Sequence, residues 1–479
     1  MYVNSFTNTR VACARIPRPP SGGNPEAGPA ASRSALAACG LVPGRQLPAA
    51  CAAAPAVAPF EAGDTRLYLS GLIHRDRLFD IACRWLADRA DARDGRTLTE
   101  IFVFEHAITA PSVRSLVTDL AQIVQPGRLL LRRATTKDAV RDAIVAAVSD
   151  PTPRVRELVE LYRERPEEFF PRTPVHMSLI TDGGSLLVGM VRRKRIRRIA
   201  DKVSRRVADQ LASEIDRSAR GFAERRARRA GVPLERMVST RSEMVADFVA
   251  AERQVADRIR LGTLTLDPRQ QEVDDLIGVK LVVDQGLIPR LEEALERRRR
   301  TWIFRRKVHE GPYEGIHYLV DLELPPMEAV IDSLRSVDWS FAAGRGVAVA
   351  DLERDLREYL ASGSRTFRLE LILTSLGDLV ESEFGSSIHE VRILEQRGRA
   401  SYFGRIAINA SWIIEYMLHL AISPSVTVGE LPIKIWGRYL RDTLSHAIAC
   451  LGNGESAEWV VPGEPDEVPL VAAGPGPSS

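Results

Sequence analysis

The chain has 479 residues, of which 45% are hydrophobic, and its formal net charge is +3. This length predicts two or three domains with packed cores, and the nearly neutral charge argues against the chain-wide positive field of a strongly basic nucleic-acid-binding protein. The five cysteines show no Cys-x-x-Cys spacing, which argues against a disulfide framework or a zinc site and favours a reducing cytoplasm.

The first region, residues 1–63, is rich in Ala, Pro, Gly and Ser. Prolines and Arg45 interrupt its apolar part, so we expect neither a secretory signal nor a membrane span there. Because such a composition does not pack a core, we predict that the region is disordered. The Gly-, Pro- and acid-rich residues 453–479 predict a second disordered segment, the tail.

Residues 64–191 alternate short β-rich runs with helix-like stretches. The β-rich runs lie at 67–69, 100–104 and 129–131, and the helix-like stretches lie at 78–90, 112–124 and 138–148. Two apolar runs on either side of Asp182-Gly183-Gly184 then predict a β-hairpin. This alternation predicts a separate α/β domain.

Residues 192–232 contain many arginines, beginning with the run at 192–198, and Gly231 and Pro233 end the helical pattern. One interpretation is a phosphate-binding surface for RNA or a nucleotide polyphosphate. The other is a solvated helical connector between two domains, in which acidic residues balance the charge. Phe222 is the one interleaved aromatic residue in the helical stretch, and this scarcity of aromatics favours the connector.

Three further strands are predicted at 276–283, 317–324 and 365–374. The first is apolar on both faces, as is typical of a central strand, and Asp275 precedes it. In the third, positions 367, 369, 371 and 373 are apolar, and Glu370 lies on the other face. Two carboxylates on neighbouring strands suit Mg²⁺, which prefers oxygen ligands. The alternative is an exposed glutamate on a solvated strand face.

Helices are predicted at 287–300, 349–360, 376–384, 401–420 and 433–451, the last two forming a C-terminal region over 401–452. The apolar run 406–422 contains Asn409, Glu415 and His419, and burying such groups in lipid would be costly. We therefore expect a helix of a soluble protein and no contact with a membrane.

Three motifs in the second half resemble those of the RelA/SpoT alarmone synthetases. The family's Asp-x-x-[Ala/Gly]-x-Arg strand corresponds to 275–280, ending in Lys280, and its Gly-Tyr-x-Ser-x-His motif corresponds to 312–317, with Tyr313 and His317. Its Glu-x-Gln-x-Arg-Thr strand corresponds to 370–375, followed by Glu383-Phe384-Gly385 and His389. Order, spacing and strand context agree, and the resemblance covers about residues 236–392.

The resemblance implies an α+β fold for residues 233–400, with the mixed sheet of a RelA/SpoT-type nucleotidyltransferase-like domain. It implies that Asp275 and Glu370 bind Mg²⁺, with Glu370 also a candidate base, and that Tyr313 stacks on the acceptor's guanine. The cationic residues implied to bind nucleotide phosphates are His317, Lys280, Arg305, Arg306 and Lys307. Alternatively, Tyr313 packs in a turn and His317 is a hydrogen-bonded strand residue.

The family's phosphate loop, Arg-x-Lys-x-x-x-Ser, corresponds at best to Arg241-Ser242-Glu243, where an acid replaces the lysine. The Gln and Arg of the third motif are Ile372 and Thr374. No histidine is followed by aspartate, so the hydrolase signature of bifunctional members is absent.

Three functions are compatible with these residues. The first is a cytoplasmic synthetase that transfers pyrophosphate from ATP to the 3′-hydroxyl of GDP or GTP. The second is a toxin-like member that modifies adenine nucleotides or tRNA 3′ ends, which RNA contact through the basic helix would favour. The third is an inactive guanine-nucleotide sensor, and homo-oligomer formation is left open in each case.

Overall fold

The computed structural model of the protein describes residues 69–170, 172–311, 314–340, 348–385, 404–423, 427–439 and 444. These residues belong to one compact unit of the chain, Asp64–Ser479. The segments predicted to be disordered, 1–63 and 453–479, lie outside the described residues, as do Tyr313 and His389.

The described helices, numbered here in chain order, are α1 (Arg75–Leu86), α2 (Asp94–Val124), α3 (Lys137–Ala147), α4 (Pro153–Glu164), α5 (Pro166–Phe169), α6 (Ile196–Ala230), α7 (Arg241–Arg260), α8 (Ile288–Arg297), α9 (Met327–Leu334), α10 (Leu352–Ser362), α11 (Leu376–Phe384) and α12 (Gly404–Leu420). Short 3₁₀ turns lie at Leu234–Arg236, Pro268–Gln271, Gln285–Leu287 and Val349–Asp351.

The strands are β1 (Leu130–Thr136), β2 (Pro174–Thr181), β3 (Leu187–Arg193), β4 (Ile277–Val282), β5 (Thr301–His309), β6 (Gly315–Glu323) and β7 (Thr366–Thr374). They form one seven-stranded sheet in the order β1-β2-β3-β4-β7-β6-β5. Strands β4 and β7 are parallel, and the other neighbours are antiparallel. The fold is therefore α+β with a mixed sheet, as the sequence predicts at that level.

The predicted separation of residues 64–191 from the second half is wrong, because one sheet contains strands from both. Strand β3 pairs directly with β4, with Arg192 opposite Gly278. The 192–232 region is likewise no connector, since the first half of α6 buries Ile199, Val203 and Leu211 in the main core. Its predicted helical end is confirmed: Gly231 caps α6 with a φ of 69°, a left-handed conformation that glycine adopts at low cost.

Two local predictions also differ from the structure. Residues 100–104, predicted as a strand, lie inside α2, where Ile101, Phe104 and Ile108 are buried at helical spacing. The helix predicted at 433–451 does not begin after Pro432, because 433–439 are irregular. The rest of that prediction lies almost entirely outside the described residues.

The two faces of the sheet are covered differently. One face packs in the main core through residues such as Val279, Leu371 and Tyr318. On the opposite face, α3, α4 and α11 cover the β1–β3 end around Leu179 and Met190. The β4–β7–β6 part of that opposite face carries the polar residues of the candidate site.

A buried glutamate fastens the first described residues to α2. The carboxylate of Glu105 accepts hydrogen bonds from the backbone amides of Ile73 and His74, at 2.9 Å each, and from the Tyr359 hydroxyl at 2.8 Å. His74 in turn lies 2.8 Å from the Tyr359 carbonyl oxygen through Nε2. Burial raises the pKa of Glu105 to about 7, although these donors favour its charged form.

We expect Glu105→Gln to change the pH dependence of stability in a defined window. The folded-state pKa of Glu105 is raised, so the folded protein binds more protons than the unfolded chain between about pH 4.5 and 7. Stability contributed by wild-type Glu105 should therefore be lost as the pH rises through this window, by about 3 kcal/mol relative to the glutamine variant. Urea unfolding of both proteins across the window measures this, and parallel curves would contradict it.

Candidate functional site

Two carboxylates and a guanidinium converge on the open face of the sheet. Arg192 on β3, Gly278 on β4 and Glu370 on β7 lie in one row, because each is opposite the next in the strand register. Arg192 Nη2 lies 3.9 Å from Asp275 Oδ2 and 4.0 Å from Glu370 Oε2. Those two carboxylate oxygens are thus within about 8 Å of each other, one at the start of β4 and one on β7.

Two lysines bind the Asp275 carboxylate. Lys194, just after β3, pairs with Oδ2, and Lys202 on α6 lies 3.0 Å from Oδ1. Burial opposes the ionisation of Asp275, but the two ammonium groups outweigh it and hold its pKa well below the usual range. Burial lowers the pKa of Lys194 to about 8, although Asp275 favours its charged form. The site therefore concentrates three cations around one carboxylate.

Glu370 has a histidine partner. His317 on β6 places Nδ1 3.3 Å from Glu370 Oε1, and the His309 and His317 rings lie 4.2 Å apart. Burial opposes the ionisation of Glu370, but His317 and Arg192 lower its pKa. The Glu370 side chain is 20% exposed, so it is not a glutamate on a solvated face. Its strand is more buried than predicted, because neighbouring Ile372 is buried too.

The predicted cationic cluster on β5 is divided between the two faces of the sheet. Arg305 lies opposite Leu319, and Lys307 opposite His317, so both are on the face of the candidate site. Arg306 is on the other face, where it binds Glu292 Oε1 at 2.9 Å. The structure thus brings Arg305 and Lys307 towards the site and removes Arg306 from it.

Lys280 is on the site face but is already paired. Its Nζ lies 3.2 Å from Ser382 Oγ and 3.8 Å from Glu383 Oε1 on α11, and Glu383 also pairs with Lys137. Burial lowers the pKa of Lys280, while Glu383 favours its charged form. Lys280 therefore fastens α11 to β4 in the structure, and its phosphate contact stays a prediction.

The predicted phosphate loop at Arg241 is not at the site. Glu243 forms a capping box with Thr240 at the start of α7. Asp247 of α7 pairs with Arg226 near the end of α6, whereas Lys202 pairs with Asp275 near the start of α6. At roughly 1.5 Å per residue, these two points of α6 are about 36 Å apart. The prediction for Arg241 is therefore wrong.

The structure places Arg192 and Lys194 beside Asp275, where Arg241 was expected. Together they have an Arg-x-Lys spacing at the end of β3, with Arg192 on the strand and Lys194 just after it. The sequence offered the arginine-rich run as a phosphate-binding surface or a connector, but it did not join the run to Asp275, because α6 and α7 separate them along the chain. The signal was the Arg-x-Lys spacing at the end of the predicted hairpin.

The site face also accounts for one residue that departs from the family pattern. Thr374, buried at the end of β7, donates a hydrogen bond from Oγ1 to the Glu314 carbonyl oxygen at 3.3 Å. The Glu314 amide donates to Asp378 Oδ1 at 2.9 Å. Thr374 and Asp378 thus both hold Glu314, at the start of the segment that leads into β6.

The donor set is compatible with a divalent cation. Among the described residues, no group of three or more His, Cys, Asp or Glu side chains is arranged to hold a metal ion. Asp275 and Glu370 nevertheless already converge on one cationic group, Arg192. Two carboxylates fit Mg²⁺ when phosphate oxygens and water complete its coordination, as is common in nucleotide sites.

Four of the ten arginines of α6 pair with acidic side chains, and others bond to backbone carbonyl oxygens. Acidic side chains pair with Arg205, Arg217, Arg220 and Arg226, and the Glu272 carbonyl accepts a hydrogen bond from Arg206. These contacts favour the interpretation of a charge-balanced helix surface over an RNA-binding surface.

Comparison of the chain with protein-family models, curated proteins and solved structures finds no match. Within the described part of the chain, every helix is too short or too polar to cross a membrane.

Proposed function

We propose that the protein is a RelA/SpoT-like nucleotide pyrophosphokinase that transfers the pyrophosphoryl group of ATP to the 3′-hydroxyl of GDP or GTP in the cytoplasm. The observation that carries this proposal is the convergence of Asp275 and Glu370 with Arg192, Lys194 and Lys202 on one sheet face. Carboxylates for a metal and cations for phosphates are the two groups that phosphoryl-transfer sites require.

The three cations suit the donor. In this transfer the acceptor oxygen bonds to the β-phosphorus, the bond from that phosphorus to the α–β bridging oxygen breaks, and AMP leaves. Arg192, Lys194 and Lys202 would bind the phosphate oxygens on which negative charge accumulates. A bound Mg²⁺, held by Asp275 and Glu370, would supply further neutralisation of the phosphates.

The Glu370–His317 pair suits the acceptor side. The hydroxyl must lose a proton as it attacks, and Glu370 lies on a strand face where it could accept that proton. His317, 3.3 Å away, would orient the carboxylate and favour its charged form. Arg305 and Lys307, on the same face two strands away from β7, would bind the acceptor's phosphates.

Two observations make the alternatives less favourable. Glu243, Ile372 and Thr374 favoured the sensor hypothesis, and the first of these instead closes a helix cap far from Asp275. The arginine-rich helix favoured the tRNA hypothesis, and four of the ten arginines of α6 already pair with acidic side chains.

We expect Glu370→Gln and Asp275→Asn each to lower turnover by at least about 100-fold, because each removes a charge that stabilises the transition state. Transfer of label from γ-labelled ATP to GDP, GTP, AMP or tRNA, with Mg²⁺, measures this and identifies the acceptor. Glu353→Gln, an exposed carboxylate paired with Arg357 on α10, is the matched control. Near-normal activity in either site variant would refute the metal-site assignment.

We expect Lys194→Gln to weaken ATP binding by about 10-fold or more, since a hydrogen bond to a charged group contributes about 1.5–3 kcal/mol. Arg241→Gln should leave ATP affinity unchanged, because Arg241 begins α7, which packs against the end of α6 that is remote from Asp275. Calorimetric titration with ATP and Mg²⁺ compares the two. If only Arg241→Gln weakened ATP binding, the family's phosphate loop would correspond to Arg241-Ser242-Glu243 after all.

A further inference from the structure

A buried arginine lies two residues before Glu370 on the same strand and face. Arg368 is 4% exposed, and its guanidinium binds Asp321 through two bonds, Nε–Oδ1 at 2.6 Å and Nη2–Oδ2 at 3.0 Å. The Phe304 ring covers it, with Cζ 3.5 Å from the ring centroid. This guanidinium is enclosed in the protein and is not available to a nucleotide.

Arg368 also binds the segment that leads into Asp275. Its Nη1 lies 2.9 Å from Glu272 Oε1 and 3.4 Å from Asp274 Oδ1. A second contact holds the same segment, because Ser70 Oγ donates to Asp274 Oδ1 at 2.8 Å. Ser70 is itself held by β7, since its carbonyl oxygen accepts the Arg368 amide at 2.8 Å.

The consequence is that β7 determines the position of both candidate carboxylates. It carries Glu370 directly, and through Arg368 it holds the residue adjacent to Asp275. Without the guanidinium, the carboxylates of Glu272, Asp274 and Asp321 would lose the one cation that contacts all three, and their repulsion would displace this segment. Ligand groups that move by about 1 Å lose much of their effect.

We propose that Arg368 is a positioning residue, which holds the 272–275 segment so that the Asp275 carboxylate meets Glu370 at the metal site. This inference rests on the proposed function, since it assigns Arg368 a purpose at that site. Arg368 acts through Glu272 and Asp274 and touches neither substrate nor metal.

The test measures Mn²⁺ binding to the full chain by electron paramagnetic resonance, which needs no turnover. Arg368→Gln should raise the Mn²⁺ dissociation constant by about 10-fold or more, the usual effect of losing a group that orients a metal ligand. Arg84→Gln is the matched control, because Arg84 binds the largely buried Asp94 far along the chain from β7. It should bind Mn²⁺ like the wild type.

A second variant covers the case in which Arg368→Gln does not fold. Asp274→Asn keeps the guanidinium and the shape of the segment. It should also raise the Mn²⁺ dissociation constant, by a smaller factor than Arg368→Gln. Wild-type Mn²⁺ affinity in a folded Arg368→Gln or Asp274→Asn protein would overturn the inference.

Failure of the proposed function gives a different result. If the wild type binds no Mn²⁺ and transfers no label, the metal site itself is wrong. Hydrogen–deuterium exchange of residues 270–276 then tests, independently of any metal, whether Arg368 holds the 272–275 segment. Faster exchange there in Asp274→Asn than in Arg84→Gln supports it, and equal exchange overturns it.

Discussion

The carboxylate of Asp275 is held between the ammonium groups of Lys194 and Lys202, and much of the molecule depends on this contact. It joins the end of β3 and the start of α6 to the start of β4. Without the charge of the Asp275 carboxylate, the two ammonium groups would repel each other. The three residues therefore stabilise one another only as a set. The same set is the charge pattern that a metal–phosphate site requires. It lies beside the β3–β4 pairing that joins the two halves of the sheet.

Local patterns in the sequence predicted much of this arrangement. The alternation around Glu370 placed its carboxylate on the face opposite the core residues, and Leu371 and Glu370 do face opposite sides of β7. The hairpin at 182–184, the end of α6 and the helix at 376–384 were also predicted correctly. Each of these depends on neighbours within a few residues, which a sequence displays directly.

Long-range pairing was the part that the sequence did not reveal. Nothing local to Arg192 indicates that β3 pairs with β4, because the roughly 80 residues between them form two helices that return the chain to the sheet. The apolar run at 100–104 was assigned to a strand because it is short. Its burial in the core, together with Ile108, shows the helical period. The three acidic partners of Arg368 also come from segments distant in the chain, so the sequence did not single it out.

Three residues singled out from the family motifs have structural explanations here. Glu243 caps a helix, Thr374 fastens a turn, and Lys280 holds α11 through Glu383. A motif match is thus best judged by what the side chain contacts, because the same residue type serves stability in one setting and a ligand in another.

The most direct test of the account is the diffraction of crystals grown with Mn²⁺ and a non-hydrolysable ATP analogue. Anomalous scattering locates the metal independently of any assay. We predict a Mn²⁺ ion bound by the carboxylate oxygens of Asp275 and Glu370, with phosphate oxygens of the analogue contacting Lys194 and Lys202. A metal and triphosphate bound elsewhere, with both lysines still on Asp275, would contradict the account.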